Sequence, residues 1–316
     1  MQPPHRPSSS PSSSPSSSPS TDAPTAQAAQ AVPTIPPAAL KLPRALDERT
    51  RRLTLAGSVP ALVAHPTWDA PAPLVLWMHG RTSRKEVDSG RYLRLIRAGI
   101  AVCAIDLPGH GDRPDPALQQ PQGTLALLAA ALPEVDGVLD DLLHGPHAAA
   151  FDARRLGIGG ISAGGMVTLR RLCQPHRFAC AAVEATTGWL AGLYDPAQSQ
   201  EALRQGAGQA AGSPKPDLEA IQRLDPWSHL AGFEPLPLLV LHSQADQLVP
   251  WSIQSAFVER LRAHYAQRGA PGSWIQVQTW PSTGAPLEHL GFGRHAHQAK
   301  TLLVDFYRRH LLDAKP

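Results

Sequence analysis

Three cysteines in 316 residues, Cys103, Cys173 and Cys180, with no C-x-x-C spacing among them, leave this chain without a disulfide framework or a cysteine-built zinc site. Cys103 and Cys180 fall inside apolar runs and read as small buried hydrophobes, so a reducing compartment, the cytoplasm, is expected. Aromatic residues are scarce, at 5%, and the basic clusters Arg49, Arg51, Arg52 and Arg81, Arg84, Lys85 are not interleaved with them. That removes the pattern of stacking and charge that marks a nucleic-acid-binding surface, and a net charge of +3 adds no strong field. No apolar run is long enough to span a bilayer, so no membrane span is expected. No metal or cofactor is expected either, and the oligomeric state is not legible.

What is abundant is proline and serine near the start. Residues 7 to 20 repeat Pro-Ser-Ser-Ser, and residues 21 to 40 are rich in Ala, Pro, Gln and Thr without an aliphatic cluster. Such a segment cannot bury enough apolar area to offset the entropy of ordering it. Residues 1–44 are therefore expected to be a disordered tail, and the interrupting prolines leave no apolar stretch of the kind a signal peptide needs. Residues 45–316 remain as one domain.

Strand-like and helix-like segments alternate through that domain. Leu53–Leu55 and Val59–Val63 flank a Gly-Ser turn and predict a β-hairpin; PLVLWM ending at Met78 and the run Ala101–Ile105 predict buried strands. A helix is predicted over Lys85–Ala98, and another over Thr124–Leu143 with a break or kink at Pro133. Residues 156–161 and 181–185 predict further strands on either side of a helix over 163–173, and Leu236–Leu241 and Trp274–Trp280 two more. Ser252–Gln267 and Gln298–Leu312 have the spacing of amphipathic helices. This alternation predicts an α/β fold with a mostly parallel central sheet and helices on both faces, with ligands bound beyond the carboxyl ends of the strands. Residues 189–235 are too long for a plain crossover and are read as a small cap insertion, with helical pieces at Ala197–Ala210 and Leu218–Leu224.

One stretch carries chemistry on its face. In LGIGGISAGG, residues 156–165, Ser162 sits in a G-x-S-x-G turn between a predicted strand and a predicted helix. This is the nucleophile-elbow pattern, a sharp turn that lifts a serine Oγ above a sheet and needs neighbours nearly free of side chain. Around it, His79-Gly80 ends the PLVLWM run, Leu107 to Gly111 reads LPGHG after the next strand, Asp246 follows the LPLLVLHS run, and His289 follows the WIQVQTW run. The order Ser162, Asp246, His289 differs from the chymotrypsin and subtilisin orders.

These motifs in this order resemble the α/β-hydrolase superfamily, and most of all its small serine esterases of the dienelactone-hydrolase and prolyl-oligopeptidase-like branch, over residues 46 to 316. The resemblance implies an α/β-hydrolase fold and a serine hydrolase acting on small carboxylic esters through an acyl-enzyme intermediate. In that reading Ser162 is the nucleophile, His289 the base and Asp246 its orienter, with backbone N–H groups of Ala163 and Arg81 as the oxyanion hole. His295 and His297 are the rival bases, Asp225 the rival acid, His79 a brace for its loop, and Glu288 a solvent-facing neighbour. Trp189, Tyr194, Trp227 and Trp251, near the cap and the acid loop, are the expected substrate-facing aromatics. An aminoacyl-peptidase, amidase or acyltransferase would share this machinery, and a non-catalytic binding protein on the same scaffold is the reading from another class.

Overall fold

In the computed structural model, residues 1, 41–195 and 217–313 are described. The expected tail therefore falls mostly outside them, as does the predicted helix over Ala197–Ala210. The described chain opens with a short helix, α1 (Arg44–Asp47), and the expected hairpin, β1 (Thr50–Leu55) and β2 (Val59–Ala64). There follow β3 (Ala72–Met78), α2 (Ser89–Arg97), β4 (Ala101–Ile105), α3 (Pro116–Gln119), α4 (Thr124–His144), β5 (Phe151–Ile161), α5 (Ala163–Arg171) and β6 (Phe178–Glu184). After α6 (Leu190–Tyr194) and α7 (Leu218–Leu224) the chain returns to the sheet as β7 (Leu238–Ser243), α8 (Trp251–Gln267), β8 (Ile275–Trp280) and α9 (Ala296–Leu311).

The strands form one eight-stranded sheet in the order β1-β2-β4-β3-β5-β6-β7-β8. The hairpin and the β2–β4 pair are antiparallel, and every pairing from β4 to β8 is parallel. Successive side chains of a strand point to opposite faces, and the core divides accordingly. In β3, Leu74, Leu76 and Met78 pack with α4, α5 and α8 on one face, whereas Val75 and Trp77 pack with α2 and α9 on the other. This two-sided burial is why the central strands read as continuous apolar runs. Among the described residues, no helix is long and apolar enough to cross a membrane.

β5 shows why its sequence alternates with glycine. Leu156 and Ile158 fill one face, while Gly157 and Gly159 leave the other face bare for Tyr307 of α9. A Cβ on Gly159 would fall 2.5 Å from the Tyr307 hydroxyl, which donates to the Ile158 carbonyl at 2.8 Å. The last helix is thereby seated directly on the strand that leads to Ser162.

Three departures from the sequence-based expectation trace to particular residues. α4 runs across Pro133 rather than ending there, carried by buried residues on both sides of it, from Leu125 to Leu142. α2 begins at Ser89, not Lys85, because the Lys85 backbone and side chain are both drawn to Asp106, by bonds of 2.9 and 2.7 Å. β5 starts five residues early, at Phe151, which pairs with Ala72 despite the polar residues Asp152, Arg154 and Arg155 between.

Candidate active site

The elbow forms as its spacing predicts. β5 ends at Ile161, α5 begins at Ala163, and Ser162 between them takes φ 52° and ψ −119°, a conformation unfavourable for any residue with a Cβ. Three bonds hold it there. Its N–H donates to the Glu184 carbonyl at 2.9 Å, and its carbonyl accepts from the Thr186 hydroxyl at 2.7 Å and from Met166 N–H at 3.0 Å. The flanking glycines are required by space. A Cβ on Gly160 would lie 2.5 Å from the Gly164 carbonyl carbon, and one on Gly164 would lie 2.3 Å from the Met78 carbonyl oxygen.

The loop after β3 is pressed against this turn, since a Cβ on Gly80 would lie 3.2 Å from that of Ser162. His79 braces the loop. Its Nδ1–H donates to the Gly80 carbonyl at 2.7 Å, and its Nε2 accepts from Leu107 N–H at 3.0 Å, which fixes one neutral tautomer. Burial pushes its pKa down to about 4. The Leu107–Gly111 loop is tied in turn to Asp106, whose carboxylate accepts from the Lys85 ammonium and Asp112 N–H and leaves no room for a side chain at Gly111. Burial works against the charge on Lys85, but its bonds to Asp106 and Asp112 outweigh that and raise its pKa.

Asp246 and His289 arrive from the ends of β7 and β8. His289 Nε2 lies 2.9 Å from Ser162 Oγ, and its Nδ1 lies 2.7 Å from Asp246 Oδ2. The other oxygen of Asp246 accepts from Leu248 and Val249 N–H at 2.9 and 2.8 Å, so the carboxylate is fixed within its own loop. Both side chains are buried, whereas Ser162 is only half-buried and faces a cavity. The rivals stand apart. His295 stacks on Trp280, His297 lies within α9, and Asp225 accepts from the N–H groups of Leu190, Ala191 and Trp227.

That cavity has a volume of about 530 Å³. Gly80, Arg81, Ile161, Leu248, Leu290 and Phe292 give it a mostly apolar wall beside Ser162 and His289. One part of its lining carries charge. Arg91 Nη2 donates to both Glu184 oxygens at 2.7 and 2.6 Å, Arg91 Nη1 pairs with Asp88 at 2.7 Å, and Lys300 stands nearby. Burial pushes the Glu184 carboxyl up to about 7 against the pull of Arg91.

The expected aromatics do not line this cavity among the described residues. Trp189 stacks on Trp227 with ring centroids 4.7 Å apart, and Arg260 lies over the Trp227 ring. Trp251 packs on His242, and Tyr194 ends α6. Trp189, Tyr194 and Trp227 pack against the margin of the apolar core, a common fate for large side chains that sequence position alone cannot exclude.

Two residues beside the site carried no readable signal. His242, fully buried on β7, donates from Nε2 to the Val249 carbonyl at 2.8 Å and lies 3.6 Å from Asp246 Oδ2, closing the loop that presents Asp246. Glu288, expected to face solvent, is half-buried. Its carboxylate accepts from Ser243, Ser282, Thr283 and Gly284, which pulls its pKa down to about 2 although burial opposes this.

Comparison with known proteins agrees with this architecture. The sequence profile of the prolyl oligopeptidase family matches residues 139–313, which include the elbow and the loops after β7 and β8. The chain is 29% identical over 270 residues to esterase YjfP of Escherichia coli strain K12, covering 80% of this chain and 96% of that one. The structure of TT1662 from Thermus thermophilus superposes with a TM-score of 0.60 at 22% identity, over 84% of this chain and 99% of that one. Acylaminoacyl peptidase from Pyrococcus horikoshii superposes with a TM-score of 0.62 at 18% identity, over 84% of this chain but only 42% of the peptidase. The chain belongs to the prolyl oligopeptidase family, and with it to the α/β-hydrolase superfamily, as a serine hydrolase of esterase or peptidase type.

Proposed function

We propose that Ser162, His289 and Asp246 are a nucleophile–base–acid triad and that this chain hydrolyses small carboxylic esters through an acyl-enzyme. The observation that carries the reading is the unbroken chain of contacts, 2.9 Å from Ser162 Oγ to His289 Nε2 and 2.7 Å from His289 Nδ1 to Asp246. A serine hydroxyl is inert until a base takes its proton, and the Asp246 contact fixes the tautomer in which Nε2 is free to do so.

In the first half-reaction, Ser162 Oγ bonds to the ester carbonyl carbon while its proton passes to His289 Nε2. The carbonyl electrons move onto the oxygen, and the backbone N–H groups of Ala163 and Arg81 are the donors proposed for that oxyanion. Ala163 is the first residue of α5, so its N–H belongs to the unpaired donors at a helix start, where the helix dipole also favours negative charge. Collapse of the intermediate expels the alcohol, which leaves with the proton from His289. In the second half-reaction water gives its proton to His289 and attacks the acyl carbonyl, and the acid departs as Ser162 regains its proton. The cavity of about 530 Å³ beside Ser162 supports a small substrate, and the esterase name of a relative matched over almost its whole length favours ester over amide. The free, buried cysteines Cys103, Cys173 and Cys180 support the cytoplasm as its compartment.

A fluorophosphonate probe should label Ser162 and abolish hydrolysis of p-nitrophenyl butyrate, and Ser162→Ala should neither label nor turn over. Folded wild-type protein that resists the probe and spares every ester would overturn the reading. Faster cleavage of an aminoacyl-nitroanilide than of any ester would move the assignment from esterase to peptidase.

A further inference from the structure

We propose that Glu288 is a positioning residue for His289, clamping the loop that carries the base to the ends of β7 and β8. The inference rests on the triad reading above and adds a residue that does not touch the substrate.

The two residues ahead of His289 have left-handed backbone, Leu287 with φ 54° and Glu288 with φ 52°. Neither is glycine, so the turn needs outside support to persist. The Glu288 carboxylate supplies that support. Oε2 accepts from Ser243 Oγ at 2.9 Å, from Thr283 N–H at 2.5 Å and from Thr283 Oγ1 at 2.7 Å. Oε1 accepts from Gly284 N–H at 2.8 Å and Ser282 Oγ at 3.1 Å. Ser243 is the last residue of β7, the strand that leads to Asp246, while Ser282, Thr283 and Gly284 follow β8. One side chain therefore joins the loop of the base to both strand ends, and Gln247 N–H adds a parallel tie by donating to the Leu287 carbonyl at 3.1 Å. A backbone N–H donates to each oxygen, from Thr283 to Oε2 and from Gly284 to Oε1, so a glutamine here would turn its NH2 toward a donor in either orientation.

The consequence is geometric. His289 must keep Nε2 on Ser162 and Nδ1 on Asp246 at once, and a misplacement of about 1 Å can cost about 100-fold in rate. Loss of the clamp should act on turnover rather than on binding, because Glu288 is not among the residues that line the cavity.

The test compares the full-length wild-type protein with Glu288→Gln, Glu288→Asp, Ser243→Ala and the double variant Glu288→Gln/Ser243→Ala. kcat and KM are measured on p-nitrophenyl butyrate, with the fluorophosphonate labelling rate and the melting temperature. Folded E288Q should lose about 10- to 100-fold in kcat, with KM and labelling stoichiometry kept and the labelling rate falling in step with kcat. E288D, which keeps the charge but shortens its reach, should fall between E288Q and wild type. In the double variant the Ser243→Ala loss should be smaller than in the wild-type background, since the two residues act through one contact. Wild-type kcat in folded E288Q would overturn the proposal, as would a loss confined to KM or melting temperature. Should E288Q fail to fold, Ser243→Ala and Ser243→Ala/Ser282→Ala peel donors off singly. A stepwise fall in kcat at constant KM then supports the clamp, and unchanged kcat in the folded double variant overturns it. Wild-type protein that is neither labelled nor active is a different result, the failure of the hydrolase reading itself.

Discussion

Asp246 shows how much can depend on one proton at the scale of a residue. Its Oδ1 is engaged by two backbone N–H groups, so Oδ2 is the atom left to receive His289 Nδ1–H. Asp246→Asn would keep the two backbone bonds through its carbonyl oxygen and turn an NH2 toward Nδ1. His289 would then carry its proton on Nε2, where it can no longer accept from Ser162. Turnover of p-nitrophenyl butyrate should fall by about 10⁴-fold with little change in melting temperature; a loss under tenfold would show that Asp246 does not orient the base. Asp246 and His289 could be picked out from sequence because each follows a strand in a fixed order. Glu288 and His242 could not. The donors that define Glu288 come from residues 243 and 282–284, and nothing in the local sequence tells a clamped carboxylate from a solvated one. His242 sits in an apolar strand, where a buried histidine with a single backbone partner reads like any other core residue.

At the scale of elements, the site depends on how closely α5 and β3 approach. The Gly164 position allows the first turn of α5 to rest against backbone oxygens of Met78 and His79, at 2.3 and 2.6 Å from a would-be Cβ. Backbone atoms cannot swing aside as a flexible side chain can, so Gly164→Ala must push α5 away from the sheet. The expected cost is about 1–3 kcal/mol, seen as a melting temperature lower by several degrees, and a drop in turnover because Ser162 and Ala163 move with the helix. Gly272→Ala, with nothing within 4 Å of its added carbon, is the control and should change neither. A Gly164→Ala protein as stable as wild type would mean that the elbow tolerates a wider gap. The mostly parallel sheet itself was legible, since burial on both faces writes apolar runs and strands alternate with helices. Element boundaries were less so. The start of α2 depends on a lysine drawn to a distant aspartate, and the early start of β5 depends on pairing with Ala72 across polar residues. The packing of the aromatics around α6 and α7 was not legible for a similar reason: their sequence neighbourhood is the insertion, and their rings pack against the core margin.

For the whole molecule, the buried titratable groups set opposing slopes of stability against pH. Burial lowers the pKa of His65, His79, His110, His176, His242 and His310, with His79 down to about 4. Below an unfolded value of about 6.5, the unfolded chain binds protons that the folded protein refuses, so these groups favour folding above that pH and cost stability as it falls toward 4. Glu184 works the other way. Its folded pKa of about 7 lies above the 4.5 of the free side chain, so the folded protein holds a proton that the unfolded chain has released. Its contribution is present below pH 4.5 and is lost as pH rises through 7, a swing on the order of 3 kcal/mol at about 1.4 kcal/mol per unit. Between pH 7 and 5 the two effects oppose each other. Glu184→Gln removes only the second effect. It also leaves Arg91 with Asp88 alone, so its absolute stability should be lower throughout, and the slope is the quantity to read. Urea midpoints at pH 7.5, 6 and 5 should fall more steeply on acidification in Glu184→Gln than in wild type. Parallel slopes would show that Glu184 does not take up a proton in the folded protein over that range, and that the Arg91 pair keeps it charged.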